Sequence, residues 1–197
     1  MIVGLTGKSC SGKDTVASLL DDRFVVIDED KLGHRALESN TDKIREAFGG
    51  AVISDGAVDR KKLGPLVFSS PEKLELLNSI SHPWMVEETL RECREIEKKG
   101  KIAVINAAIL EKMGFVKYCD EIVFVLSPYE KRLERALRRD GVTEENFRRR
   151  SESQKEIGST LFSSGKKVVT IINDKEREEL SRQVASYCAS IKRARVQ

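Results

Sequence analysis

The sequence predicts an α/β protein, a three-layer sandwich in which helices cover both faces of a five-stranded parallel sheet. Three observations predict it. Five short apolar runs alternate along the chain with helical segments, and each is continuous in the way of a strand buried on both faces. The 197 residues suffice for one sizeable domain with its own core. The first apolar run leads directly into a glycine loop and then a helix, the order of a phosphate-binding loop.

Met1 to Leu5 is that first strand, and the loop lies within GLTGKSCSGKDTV, Gly4 to Val16. Gly7 is followed by four residues, then Gly12 and Lys13. Glycine at both ends permits backbone torsions that turn successive N–H groups inward toward phosphate oxygens. The helix beginning at Lys13 adds its positive dipole end, and Lys13 a point charge for the outer phosphates. Gly7, Lys8, Ser9, Cys10, Ser11, Gly12, Lys13, Asp14 and Thr15 are therefore the expected nucleotide cradle. The residue after the lysine is normally Ser or Thr, whose hydroxyl holds Mg²⁺. Here it is Asp14. A carboxylate is also a hard oxygen ligand, so Asp14 reads as a changed metal ligand. The alternative is that it only favours the first helical turn.

Phe24 to Ile27 is the second strand, running into Asp28-Glu29-Asp30. Carboxylates at the C-terminal end of a parallel strand stand where α/β sheets bind ligands. Lys31 to Glu38 and Asp42 to Phe48 read as helices, and Asp55 to Arg60 as a turn into another. Pro71 to Ile80 is helical, His82-Pro83 breaks the chain, and a long helix follows from Trp84 to about Lys99. The run from 31 to 99 contains no good strand and reads as a helical insertion carrying an acceptor site. Ile102 to Ile105, Glu121 to Leu126 and Val168 to Ile172 complete the sheet, ending at Asn106, Leu126 and Asn173. Lys175 to Lys192 is a final amphipathic helix with Leu180, Val184, Cys188 and Ile191 inward. The whole chain, 1 to 197, is then one domain with an insertion at about 31–99 and a lid at about 128–155.

The lid assignment comes from charge. Pro128 to Lys155 holds nine Lys/Arg against six Asp/Glu. Arg132, Arg135 and Arg139 share a helix face, with Leu133 and Leu137 on the face expected to pack down. Gly141 is a hinge, and a second helix carries Arg148, Arg149 and Arg150. Phosphoryl transfer needs cations that close over a triphosphate and exclude water. A solvated charged hairpin is the alternative.

Composition excludes several classes. The charged fraction is 34% and the net charge only +3, which gives no case for a general nucleic-acid binder. No run reaches the length of a membrane span, and the N-terminus enters a strand without a signal-like leader, so a cytoplasmic protein is expected. Cys10, Cys93, Cys119 and Cys188 lack metal-ligand spacing and read as free thiols. Nothing in the composition demands more than a monomer or a weak homo-oligomer.

Several of these stretches together resemble the dephospho-CoA kinase family. The P-loop does, as do VIDEDKLGH (Val26 to His34), DGAVDRKKLGPLVF (Asp55 to Phe68) with LELLNSISHP (Leu74 to Pro83), RRRSESQ (Arg148 to Gln154) and IIND (Ile171 to Asp174). The resemblance implies a P-loop kinase fold and transfer of phosphate from ATP, with Mg²⁺, to the 3′-hydroxyl of dephospho-CoA. It implies that Lys13 holds the β- and γ-phosphates, Asp30 takes the acceptor's proton, and Asp28 supports it or helps position Mg²⁺. Arg139 and Arg149 would be lid cations, and Asn173 would lie near the adenine. Arg60, His82 and Glu111 would serve the acceptor. The chain departs from the family at Asp14 and at Asn106-Ala107-Ala108-Ile109-Leu110-Glu111, where the family usually has Pro-Leu-Leu before the Glu. A nucleoside or nucleoside monophosphate kinase, or a nucleotide-binding regulatory protein with little catalysis, are the competing expectations.

Overall fold

The five apolar runs form one sheet, because each supplies side chains that must be covered on both faces. The computed structural model describes residues 1–191, apart from the side chains of Arg139 and Asp140. The chain runs β1 (Ile2–Thr6), α1 (Lys13–Leu19), β2 (Phe24–Asp28), α2 (Glu29–Ser39), α3 (Thr41–Phe48), β3 (Ile53–Ser54), β4 (Ala57–Val58), α4 (Arg60–Phe68) and α5 (Pro71–Lys98). It continues through β5 (Ile102–Asn106), β6 (Glu121–Leu126), α6 (Tyr129–Asp140), α7 (Glu144–Ser153), β7 (Lys167–Ile172) and α8 (Arg177–Ser190). The sheet order is β2-β5-β1-β6-β7. β1 pairs in parallel with β5 and β6, and β6 with β7. β1 is thus central, and its C-terminal end opens the P-loop at mid-sheet.

The chain forms two compact units, one of Met1–Ile27 with the chain from Glu92 onward and one of Asp28–Arg91. In the first, α1 and α8 lay Val16, Leu180, Val184 and Tyr187 against Val3, Leu5, Val104, Val123 and Val125. The opposite face is covered just as closely. A Cβ on Gly4 would meet Leu110 Cδ2 at 2.7 Å and Cys119 Sγ at 2.9 Å, so any larger residue there would have to displace both side chains. Burial pushes the Cys119 thiol up to about 12, and all four cysteines are free thiols. At the outer edge of the sheet, the Gln183 amide bonds both N–H and C=O of Ile172, each at 2.9 Å. It stands in for a strand partner and blunts that edge.

The second unit is a small helical body around Ile44, Val52, Leu63 and Val67. It corrects two expectations. The insertion does contain strands: β3 and β4 form a hairpin, with Asp55 (φ 51°) and Gly56 (φ 79°) supplying the two left-handed residues of its tight turn. Two-residue strands are too short for alternation to reveal. His82-Pro83 also does not break the chain, because α5 runs through it from Pro71 to Lys98. Proline removes one rung of the helical ladder. The turns on either side carry the helix across, with Leu77 and Ile80 packed on the unit's core. Among the described residues no helix is long and apolar enough to cross a membrane.

Candidate active site

The P-loop lies between β1 and α1, where torsions and close contacts require the residues the sequence supplies. Gly12 has φ +98°, and a Cβ there would lie 2.1 Å from Asn173 Nδ2. A Cβ on Gly7 would lie 2.5 Å from the Val125 carbonyl oxygen. Cys10 is a non-glycine residue at φ 59°, so the loop holds a left-handed turn that L side chains disfavour. Ser11 N–H donates to the Lys8 carbonyl at 3.0 Å and Val16 N–H to Gly12 at 3.0 Å, which closes the turn and begins α1. Lys13 Nζ donates to the Gly7 carbonyl at 3.2 Å, which holds the ammonium over the loop.

The loop's outward carbonyls are held by arginines. Arg135 Nη1 donates to the Cys10 carbonyl at 3.2 Å and to Ser127 Oγ at 2.9 Å. Its Nη2 donates to the carbonyl and the Oδ1 of Asn173, both at 3.1 Å. Arg132 Nη1 donates to the Ser9 carbonyl at 3.4 Å, and its guanidinium sits 5.7 Å from the rings of both Tyr129 and Phe147. Burial presses both guanidinium groups below the usual arginine range. They remain cations, because arginine does not deprotonate in proteins.

Arg132 and Arg135 of α6 therefore point onto the P-loop, and of the two leucines expected to pack down Leu133 is half-buried and Leu137 is not buried. Arg132 is buried, while Leu137 is 44% exposed. The guanidinium groups find backbone carbonyls that no leucine could satisfy, and this outweighs the preference of leucine for burial. These two residues brace the loop from its carbonyl side. The side chain of Arg139 falls outside what the structure describes. On α7 the arginines separate. Arg149 is 72% exposed and pairs with Glu145 on its own helix, whereas Arg150 Nη1 reaches Ser9 Oγ at 3.4 Å. Gln154, just past α7, accepts the Ser9 N–H at 2.7 Å.

Asn173 and Glu111 are engaged within the protein. The Asn173 amide donates to the Ser11 carbonyl at 2.8 Å and accepts from Arg135. It secures the loop to the end of β7. Glu111 accepts from the N–H of Gly158 at 2.6 Å and of Thr160 at 3.1 Å, so its carboxylate shapes the loop before β7.

The residues where the sequence places a metal ligand would fit a hard cation that arrives with a polyphosphate. Asp14 is exposed on the first turn of α1 and accepts from Asn106 Nδ2 at 3.1 Å. Among the described residues no group of three or more His, Cys, Asp or Glu could hold a metal unaided. An ion here would complete its shell from phosphate oxygens and water, as Mg²⁺ prefers.

The second unit carries the other candidate residues. Asp28 ends β2 and caps α2, its Oδ1 accepting from the N–H of Asp30 at 3.0 Å and of Lys31 at 3.3 Å. Asp28 is therefore the cap of α2, and Asp30 stands exposed in its first turn. Arg60 lines a cavity of about 200 Å³ with His34, Leu37, Glu38, Ala57 and Val58. Its walls offer one apolar side and three groups able to bond a polar ligand. His82 is half-buried on α5 and does not line it. His34, one turn after Asp30, carries no spacing signal that would have singled it out.

The family model for dephospho-CoA kinase matches residues 1–179. The chain belongs to the dephospho-CoA kinase family. The match takes in both units, the P-loop and the two arginine helices. A dephospho-CoA kinase of Fusobacterium nucleatum is 35% identical over 195 residues, covering 97% of this chain and 98% of its own. Among solved structures, the Thermus thermophilus protein TT1252 superposes with a TM-score of 0.80 at 28% identity, covering 98% of each chain. A dephospho-CoA kinase from Campylobacter jejuni superposes at 0.64 and 22% identity, covering 95% of each, and shares the fold. Arg132, Arg135 and Arg150 were marked in the sequence only as part of a cationic lid, and Gln154 only as the end of the lid motif; their contacts with Ser9 and Cys10 of the P-loop are what the structure adds.

Proposed function

We propose that this chain transfers the γ-phosphoryl group of ATP to the 3′-hydroxyl of dephospho-CoA, giving ADP and coenzyme A. The observation that carries the reading is a formed P-loop in a chain that matches the dephospho-CoA kinase family over residues 1–179. The backbone N–H groups of the loop and Lys13 hold the β- and γ-phosphates. They also stabilise the charge that develops as the bond to the leaving ADP lengthens. Asp14 is the ligand for Mg²⁺, which when bound neutralises phosphate charge. Asp30 accepts the proton of the acceptor hydroxyl, and Asp28 fixes Asp30 by capping the helix that carries it. Arg60 and its cavity take part of the acceptor. Glu111 and Asn173 hold loops in place. The reading takes the enzyme as cytoplasmic, with both substrates small and water-soluble.

On α7, the contact with Ser9 favours Arg150 over Arg149 as the cation that acts on the γ-phosphate. Arg150→Ala is expected to lower kcat by about ten- to a hundredfold. Arg149→Ala removes an exposed pair and should leave kcat within about twofold. Steady-state kinetics of the two variants decide between them.

An acceptor panel tests the function. ADP release should be at least about a hundredfold faster with dephospho-CoA than with AMP, CMP, UMP or dTMP. Ready turnover of a nucleoside monophosphate would make the chain a nucleotide kinase instead. ATP binding with turnover of no acceptor would make it a regulatory protein.

A further inference from the structure

The two departures at the metal position touch each other. Asn106 is the last residue of β5 and pairs in register with Leu5, two residues before Gly7. Its Nδ2 donates to Asp14 Oδ1 at 3.1 Å. Its Oδ1 is buried and meets no hydrogen-bond partner among the described residues. A buried amide oxygen without a partner is costly unless something else supplies the bond.

P-loop enzymes commonly divide the work at this place in one way. The helix supplies a neutral hydroxyl to Mg²⁺, and an acid outside the loop supplies the negative charge. Here the helix supplies the carboxylate, and a neutral amide stands at the end of a strand beside it. The pair still carries one negative charge. We propose that the magnesium site of this chain is built with its charge moved onto the helix. Asp14 is the charged ligand, and Asn106 is a positioning residue that orients it. The unpaired Oδ1 of Asn106 is the acceptor left for the water that Mg²⁺ retains. This deepens the kinase reading and rests on its nucleotide-binding half alone.

Such a pair has a consequence that separate substitutions would not. Asp14→Ser removes the only charge of the pair. Asn106→Asp alone puts two carboxylates at hydrogen-bond distance, where like charges oppose each other. Made together, they restore one hydroxyl, one carboxylate and one charge.

The test uses Mn²⁺ as the probe, with bound and free ion separated by electron paramagnetic resonance in the presence of ADP and without acceptor. Asp14→Ser is expected to weaken Mn²⁺ binding about ten- to a hundredfold, and the double variant to return within about threefold of wild type. Asp14→Asn, which keeps the shape and loses the charge, should show the same loss as Asp14→Ser. The inference is overturned if either single variant at position 14 binds Mn²⁺ as wild type does. It is also overturned if the double variant, folded by thermal melting, binds no better than Asp14→Ser. If the double variant does not fold, Asp14→Asn alone decides. A wild-type enzyme that ignores dephospho-CoA while the rescue holds would overturn the acceptor and leave this site standing.

Discussion

Lys13→Met is expected to lower kcat by about two to three orders of magnitude, the scale on which a single group facing transition-state charge contributes. Lys13 is the first residue of α1, and its ammonium lies across the P-loop against the Gly7 carbonyl. Methionine keeps the unbranched stem and fills the same half-buried space, so the loop and helix should stand. The hydrogen bond to the Gly7 carbonyl that the folded state loses contributes on the order of 1 kcal/mol. The thermal midpoint should therefore move little while turnover collapses. A variant within about threefold of wild-type kcat would remove Lys13 from the phosphate site, because lost transition-state stabilisation cannot leave the rate unchanged.

Asp30→Asn is the second large effect. It should keep ATP affinity and cost at least about two orders of magnitude in kcat, the usual scale for a lost general base. The structure makes this substitution clean. The cap of α2 is Asp28, so position 30 can lose its charge without loosening the helix. Calorimetric titration with a non-hydrolysable ATP analogue, beside kcat for the same preparation, separates the two quantities. Weakened nucleotide binding with kcat preserved would contradict the role. Asp28→Asn is the companion variant. Asparagine caps as well as aspartate, so the helix stays while the charge of Asp28 goes.

The sheet was legible because its strands are buried on both faces and read as unbroken apolar runs. Each of the five was placed to within a residue or two. The P-loop was legible because Gly7, Gly12 and Lys13 stand at a spacing that few other structures use. What escaped was decided by tertiary partners. The β3–β4 hairpin is two residues a side, below the length at which alternation can be seen. Pro83 reads as a break until the remainder of α5 packs around it. Leu137 of α6 stays exposed while Arg132 is buried, because the carbonyls of Ser9, Cys10 and Ser11 draw Arg132 and Arg135 to the loop, and no local pattern encodes that. Asn173 and Glu111 bear residue types suited to ligands, and the structure adds that each bonds loop residues of this chain, Asn173 to Ser11 and Arg135 and Glu111 to Gly158 and Thr160. Asp14 and Asn106 were each visible as a departure, but 92 residues of sequence separate them, and only the β1–β5 register brings them together.

The central claim is that one phosphoryl group passes from ATP to the ribose 3′-hydroxyl of dephospho-CoA. Its most direct test is the product itself. The chain is incubated with ATP, Mg²⁺ and dephospho-CoA, and the nucleotide products are resolved by mass and by phosphorus NMR. The account predicts coenzyme A with its new phosphate at the 3′ position and ADP in equal amount, and no product from an acceptor lacking the 3′-hydroxyl. ADP formed without any phosphorylated dephospho-CoA, or phosphate found at another position, would contradict it.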